Sequence, residues 1–217
     1  MEHGIKLTIF FLTLSFLLVI SVSSFAEPSE LQVPMYDATD SSFIASAINS
    51  FGTSEHASEG YVERAFDNYS SNKFEKSMQK FNQAWLLNPD NAYVYLGFGL
   101  LLKKKEQTCP SYKMFKLANE KGLKEKGFLA DYAYTTSQCA LLKEEKEKQQ
   151  LFIASNNLHQ TATEIANERL LAYVYHSWAK SYVLQEDFAK AEEMVEKSRS
   201  FGGTINSSLL QALKSKN

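Results

Sequence analysis

The sequence contains few of the residues that define several common protein classes. Its 217 residues include four prolines and nine glycines, too few for the closely spaced turns of an all-β sandwich or barrel. It has 23 basic and 25 acidic residues and a formal net charge of −2. This balance does not fit a basic nucleic-acid binder or a disordered acidic tail. We expect one helical domain and no nucleic-acid partner.

Residues suited to catalysis or metal binding are also sparse. The four histidines are His3, His56, His159 and His176. None is spaced as a metal ligand, and no His-Glu-x-x-His, Walker loop or Gly-x-Ser-x-Gly elbow occurs. Gly97-Phe98-Gly99 begins like a dinucleotide loop, but Leu102 stands where the third glycine would be. We therefore predict no catalytic residue, no metal and no cofactor, and an enzyme of unknown class is the least favoured alternative.

One long apolar run occurs, near the N-terminus. Residues 7–22 are nearly all apolar, follow Lys6 and lead into Ser24-Phe25-Ala26. About 16 apolar residues are short for a membrane-spanning helix, which needs roughly 20. The small residues Ser24 and Ala26 suit a signal-peptidase site. We predict a signal peptide over 1–26, cleaved after Ala26, a periplasmic or secreted product and no membrane insertion after cleavage; an uncleaved anchor is the alternative.

Two short regions follow the predicted cleavage site. Residues 27–42 contain two prolines, several acidic residues and serines, and no apolar periodicity, which predicts a flexible leader. From residue 43 onwards the apolar side chains share one helical face that ends at Gly52, namely Phe43, Ile44, Ile48 and Phe51. We predict an N-terminal helical lid over 43–57.

A repeated pattern of small and aromatic residues occupies most of the remaining chain. The first copy of the pattern ends at Asn88-Pro89-Asp90-Asn91 and comprises Tyr61, Ala65, Phe74, Phe81 and Ala84. It recurs as Tyr95, Phe98, Gly99, Leu102, Phe115 and Ala118, and again as Tyr175, Trp178, Ala179, Tyr182 and Ala191. Small residues allow neighbouring helices to approach within about 8–10 Å, and aromatic rings fill the space beside them.

This pattern resembles the tetratricopeptide repeat (TPR), a 34-residue pair of antiparallel helices. The resemblance implies an all-α, right-handed helical-hairpin solenoid with hairpins over 58–91, 92–125, 126–171 and 172–203. The third hairpin is longer than the others, and we expect its extra length in helices around 144–158 and 163–184. An apolar stripe of Ile205, Leu209, Leu210 and Leu213 predicts a C-terminal capping helix over 204–217. An unrelated all-helical bundle is the alternative.

The chain has two cysteines, Cys109 and Cys139. The TPR resemblance implies that both lie at the same edge of the stack, at the bends of adjacent hairpins. An exported protein meets an oxidising compartment. We predict a Cys109–Cys139 disulfide, with two separate thiols as the alternative. The sequence has no Cys-x-x-Cys motif, so nothing indicates redox catalysis by these cysteines.

In TPR stacks the first helix of each hairpin lines a curved trough, and the repeat register assigns its residues. We predict partner binding by Phe66, Tyr69, Tyr93, Leu96, Leu100, Lys103, Tyr134, Tyr173, His176 and Lys180. The same register places Val62, Ala130, Ser137 and Val183 in the trough. Aromatic residues there have no role within the hairpins, which indicates a peptide or protein partner. Alternatively, the 43–51 helix covers Phe66 and Tyr69.

The trough residues also suggest how a partner would be held. We expect an apolar or aromatic side chain of the partner to enter the trough, oriented by tyrosine hydroxyls and by Lys103 or Lys180. The expected function is that of an exported, non-enzymatic protein-binding scaffold. An immunity or inhibitor protein that neutralises one toxin or enzyme is the alternative. The pattern assigns neither the partner's identity nor the oligomeric state.

Overall fold

The computed structural model describes residues 33–36, 41–123, 125 and 127–215. The predicted signal peptide and the predicted leader, apart from residues 33–36 and 41–42, lie outside the described residues. The described residues form ten helices and no strand. The helices are α1 Ser41–Phe51, α2 Ser54–Ser70, α3 Phe74–Leu87, α4 Ala92–Lys104, α5 Thr108–Glu120, α6 Phe128–Ala140, α7 Glu145–Ile165, α8 Glu168–Leu184, α9 Phe188–Ser200 and α10 Ser207–Lys214. None of these helices combines the length and apolar character needed to cross a membrane.

Consecutive helices pair as four hairpins, α2–α3, α4–α5, α6–α7 and α8–α9, and each hairpin packs on the next. Short helices close both ends, because α1 packs on α2 and α10 packs on α8 and α9. The expected all-α helical-hairpin fold is therefore confirmed.

Local sequence signals start several of these helices. The side-chain oxygens of Thr53, Asn91, Asn167, Asp187 and Asn206 each accept a hydrogen bond from a backbone N–H in the first turn of the helix that follows. Such caps satisfy donors that have no partner within the helix, and each contributes about 1 kcal/mol. A single polar residue therefore marks the start of three of the four hairpins, those that begin with α2, α4 and α8.

Two glycines on α4 set how closely the second hairpin packs. A Cβ atom added to Gly97 would lie 2.0 Å from Cζ of Phe81, and one added to Gly99 would lie 2.3 Å from Phe115. Both rings are fully buried. The glycines are therefore required because aromatic rings of α3 and α5 rest directly on the α4 backbone.

A recurring hydrogen bond ties the two helices of a hairpin together. Ser77 Oγ donates to the carbonyl oxygen of Ala65, and Ser111 Oγ donates to that of Gly99, each at 2.8 Å. The two bonds are one repeat of 34 residues apart in the sequence. Ser155 Oγ makes the corresponding bond to a carbonyl of α6, also at 2.8 Å. Each of these buried hydroxyls has a partner, so its hydrogen bond offsets the cost of removing it from water.

The third hairpin departs from the expected helix limits. We expected its second helix to end near residue 158 and the next to begin near 163, whereas α7 continues to Ile165 and α8 begins at Glu168. The expectation was wrong because His159 and Ala162 are buried and continue the inward face of α7. Asn167 then caps α8.

The N-terminal region is fastened to the first hairpin. Phe43 and Phe51 of α1 lie 5.4 and 6.1 Å from the ring of Tyr61. The buried amide of Asn82 accepts from the backbone N–H of Tyr36 and donates to the carbonyl of Val33, at 3.1 and 2.9 Å. Residues 33–36 of the expected flexible leader are thus hydrogen-bonded to α3.

The two cysteines form the expected disulfide. Cys109 at the start of α5 and Cys139 near the end of α6 have Cα atoms 4.9 Å apart and are bonded to each other. The bond joins the second and third hairpins at one edge of the stack, where Leu151 and Phe152 of α7 pack against it. It closes a loop with a sequence separation of 30 residues, a cross-link that restricts the unfolded chain.

Candidate partner-binding groove

A groove runs across the first helices of the hairpins, formed by two hollows that meet at the side chains of Phe66 and Tyr93. The first hollow, about 990 Å³, is lined by Glu59, Val62, Glu63, Phe66, Asp67, Asn88, Asn91, Ala92, Tyr93, Gly122 and Leu123. The second, about 550 Å³, is lined by Phe66, Tyr93, Leu96, Leu100, Glu125, Gly127, Phe128, Asp131, Leu170 and Tyr173. Each is as large as a typical ligand pocket of roughly 300–1,000 Å³.

The floor of the groove is apolar. Phe66 packs on the buried ring of Phe81 with 5.0 Å between ring centroids, while its remaining surface faces both hollows. Leu96 and Leu100, one helical turn apart on α4, extend the floor towards α6 and α8. This half-buried apolar strip offers contact surface that the hairpin cores leave unused.

Two tyrosines rise from the floor, each with part of its side chain in solvent. Tyr93 is 41% exposed and Tyr173 is 42% exposed. The Tyr93 hydroxyl donates to a carboxylate oxygen of Glu125 at 2.7 Å, which raises the pKa of Tyr93 together with partial burial. Both tyrosines therefore present an apolar ring and a polar tip, a combination enriched at interfaces.

Asp131 links the groove to a polar cluster at its far end, which consists of Asp131, Lys103, Tyr134 and Lys180. Its carboxylate lies 3.5 Å from Nζ of Lys103. Burial, and then the negative charge of the nearby Asp131 carboxylate, raise the pKa of Tyr173. Asp131 thus holds a side chain of α4 and one of α8 from its place on α6.

Lys180 covers the ring of Tyr134 within this cluster. The Lys180 ammonium lies 3.9 Å from the ring centroid, and that of Lys103 lies 5.9 Å from it. Burial and then the nearby positive charge of Lys103 lower the pKa of Lys180, against the attraction of Asp131. The two lysines are therefore engaged with Asp131 and an aromatic face.

Tyr69 and His176 lie beside the polar cluster. Tyr69 packs on Phe74 at 5.6 Å between centroids, and burial and Asp131 raise its pKa. His176 Nε2 lies 3.4 Å from Nδ2 of Asn206, at the start of α10. Burial and Lys180 lower the pKa of His176. The C-terminal cap thus contacts one residue that we expected to bind a partner.

The predicted site residues fall into two neighbouring sets. Phe66, Tyr93, Leu96, Leu100 and Tyr173 line the groove. The side chains at or beside the polar cluster are Tyr69, Lys103, Tyr134, His176 and Lys180. Among the described residues no group of three or more His, Cys, Asp or Glu side chains could hold a metal ion.

Two further residues expected in the trough are buried instead. Ala130 and Ser137 are both fully buried. Ser137 Oγ donates to Ser155 Oγ at 2.7 Å, and the carbonyl of Ala130 accepts from Ser177 Oγ at 3.0 Å. The expectation was wrong because α6 packs directly against both α7 and α8. Val62 does line the groove, whereas Val183 packs in the core formed with α9 and α10.

A buried histidine joins α7 to α8. His159 Nδ1 lies 3.0 Å from the carbonyl oxygen of Ser155, and Nε2 lies 3.2 Å from Ser177 Oγ. Its ring stacks on Trp178 with 5.5 Å between centroids. Because a carbonyl oxygen only accepts, Nδ1 carries the proton, and Nε2 competes with the carbonyl oxygen of Ala130 for the single hydroxyl proton of Ser177. Burial lowers the pKa of His159 from 6.5 to about 3, so the ring is neutral at physiological pH.

The N-terminal helix leaves the groove open. The side chains of α1 pack with Ala57, Tyr61 and Leu87, at the edge of the first hairpin. No described α1 residue lines either hollow. The described part of the lid therefore does not cover Phe66.

Four hairpins packed in sequence order, with Ala65, Gly99 and Ala133 at intervals of 34 residues, are the structural signature of a TPR stack. The chain has a TPR-like fold. It is similar to the crystal structure of YrrB, described as a TPR protein with an unusual peptide-binding site. The likeness covers 80% of this chain and 97% of YrrB at 19% sequence identity, with a TM-score of 0.44. No protein-family model and no curated protein matches the chain.

Sequence reasoning missed the acidic residues of the groove. Its lining includes the carboxylates of Glu59, Glu63, Asp67, Glu125 and Asp131. A signal was present for the first three, because they are spaced by four residues along α2 and so share one helical face. Of the other two, Glu125 precedes α6 and Asp131 lies on α6, and no local spacing relates them to α2.

Proposed function

We propose that this protein is an exported, non-enzymatic scaffold that holds a peptide or protein partner in the groove across α2, α4, α6 and α8. The observation that carries the proposal is the groove itself, an apolar floor with the exposed rings of Tyr93 and Tyr173 above it. Tyrosine is enriched among the residues that contribute most of the binding energy at protein interfaces.

Hairpin stability does not account for these rings. The cores of the first two hairpins are filled by Phe81, Phe98 and Phe115, which are fully buried. Tyr93 and Tyr173 add exposed apolar surface on the same side of the stack as Leu96 and Leu100. A continuous apolar strip bordered by polar groups is typical of a protein-binding site.

The charges along the groove bear on the class of partner. All five charged side chains among its described lining residues are carboxylates. A polyanion such as a nucleic acid would be repelled by them, since its affinity depends on basic contacts to phosphates. The lining therefore favours a protein or peptide partner.

Site-specific photocrosslinking tests the binding role. A photoreactive phenylalanine derivative replaces Tyr93 or Tyr173 in the groove, and Phe201, an exposed ring outside it, serves as the matched control. We expect one partner to crosslink at both groove positions and not at the control. Equal adducts at all positions, or adducts at the control alone, would contradict the proposal.

The export half of the proposal has its own support and test. A disulfide between hairpins suits an oxidising compartment, and the N-terminal sequence suits a cleaved signal. N-terminal sequencing of the mature protein should begin at Glu27. Recovery of the intact Met1 terminus in the cytoplasm, with both cysteines accessible to thiol reagents, would contradict export.

A further inference from the structure

We propose that the groove selects a basic amphipathic segment, in which Lys or Arg side chains accompany apolar ones. The inference rests on the proposed function and specifies the chemistry of the partner. Its basis is the combination of an apolar floor with carboxylates on the walls of both hollows. Complementary charge at an interface determines partner choice and speeds association.

The α2 wall shows the arrangement most clearly. Val62 and Phe66 contribute apolar surface to the first hollow, and Glu59, Glu63 and Asp67 line the same hollow. These positions follow the helical pattern i, i+3, i+4, i+7 and i+8, so they form one face of the helix. A partner whose apolar side chains reach the floor would therefore have its neighbouring side chains beside these carboxylates.

These three carboxylates have no basic partner in the described part of the chain. No Lys or Arg nitrogen there lies within ion-pair distance of Glu59, Glu63 or Asp67, and the nearby Arg64 lies over the rings of Phe51 and Tyr61. Unpaired like charges along one wall repel each other, and a cationic ligand relieves that repulsion.

The two carboxylates of the second hollow are partly engaged. Glu125 accepts the hydrogen bond from Tyr93, and Asp131 faces Lys103. The acidic character is therefore strongest at the α2 end of the groove and falls towards the polar cluster. We place the basic side chains of the partner at the α2 end.

The chain's own N-terminal segment is a poor occupant for this groove. Residues 27–42 contain Glu27, Glu30, Asp37 and Asp40 and no Lys or Arg. Acidic side chains facing the α2 wall would be repelled. The charge pattern therefore points to a separate, basic partner.

Fluorescence anisotropy with synthetic peptides tests the inference on the full mature protein. The peptides share the same Leu and Phe positions and carry Lys, Gln or Glu at the others. We expect the Lys peptide to bind about ten-fold more tightly than the Gln peptide at low salt, and this margin to shrink as salt screens the charges. The Glu peptide should bind most weakly.

Two matched triple variants locate the effect. Glu59→Gln, Glu63→Gln and Asp67→Asn remove the α2 carboxylates from the groove. Exposed acidic residues outside the groove provide the control with the same change in net charge: Glu75→Gln, Glu164→Gln and Glu186→Gln. We expect the groove variant to lose about ten-fold affinity for the Lys peptide, whereas the control retains it.

The outcomes separate this inference from the proposed function. Equal binding of all peptides, weakened alike by Tyr173→Ala, would overturn the charge preference and leave the groove as a binding site. Lys124 and Lys126, which flank Glu125 in the sequence and lie outside the described residues, are changed to Gln in a further variant. Tighter binding of the Glu peptide that this variant loses would also overturn the preference for a basic partner. Failure of every peptide to bind would also overturn it, while the crosslinking result decides the proposed function separately.

Discussion

Acidification should destabilise the protein through one buried imidazole. His159 is fully buried between α7 and α8, with Ser155, Ser177 and Trp178 around its ring. Burial lowers its pKa from 6.5 to about 3, so the folded state keeps the ring neutral while the unfolded chain protonates it. Between those two pKa values the unfolded state binds one more proton. The stability contributed by neutral His159 is therefore complete above pH 6.5 and is lost as the pH falls towards 3.

The size of the effect follows from linkage. Each pH unit in that range changes the free energy of unfolding by about 1.4 kcal/mol for one proton. From about pH 7.5 to about pH 4.5 the wild-type protein should lose about 2.5 kcal/mol through this group alone. In His159→Gln the amide has no proton to gain in this range, so that part of the pH dependence should disappear.

Urea unfolding at several pH values measures the difference. Far-UV circular dichroism gives the unfolding midpoint of the wild type and of His159→Gln at each pH, and other titrating groups cancel because both proteins contain them. The stability gap between the two proteins should shrink by about 2.5 kcal/mol on acidification. Parallel curves with a constant gap would refute the argument that burial keeps this imidazole neutral.

Three further changes probe the packing, the disulfide and the groove. Gly97→Ala places a methyl group against a buried aromatic ring and should cost up to about 3 kcal/mol by thermal unfolding; an unchanged melting temperature would contradict the close approach. Replacing Cys109 and Cys139 together by Ser should cost roughly 3–4 kcal/mol in urea unfolding, and free thiols in the wild-type protein would contradict the bond. Tyr173→Ala should weaken partner binding about ten-fold with only a small change in melting temperature. Ile153→Ala, an exposed control on α7, should change neither quantity. A large loss of melting temperature in Tyr173→Ala would show that the ring belongs to the core.

The hairpin pattern was predictable because its determinants are local. Small residues at fixed intervals, such as Ala65 and Gly99, lie where an aromatic ring of the paired helix must fit. Polar caps such as Asn91 mark helix starts in the sequence. The limits of α7 and α8 were not predictable in the same way, because neither Gly nor Pro interrupts residues 159–167. Only the cap at Asn167 marks the boundary.

The groove was predictable where each hairpin repeats the same packing. The register assigned Phe66, Tyr93 and Leu100 to the trough, and these side chains line the groove. It failed at Ala130 and Ser137, because direct packing of α6 on α8 and α7 buries the face that the register left open.

The acidic walls could not be assigned from the sequence. A run such as Glu59, Glu63 and Asp67 on a helix is equally typical of a solvated surface. Only the approach of α4, of the loop before it and of the loop after α5 turns that face into one side of a hollow. Likewise, the role of Asp131 depends on side chains from α4 and α8 that are far away in the chain.

The central claim is that the first helices of the hairpins share one groove that binds a partner. Backbone-amide NMR of the mature protein, titrated with the Lys-containing amphipathic peptide, tests it most directly. The account predicts that the largest shifts fall on α2, α4 and α8 around Phe66, Tyr93 and Tyr173, and that α3 and α5 are little affected. Shifts concentrated on the outer helices α3, α5 and α9, with the groove residues unchanged, would contradict it.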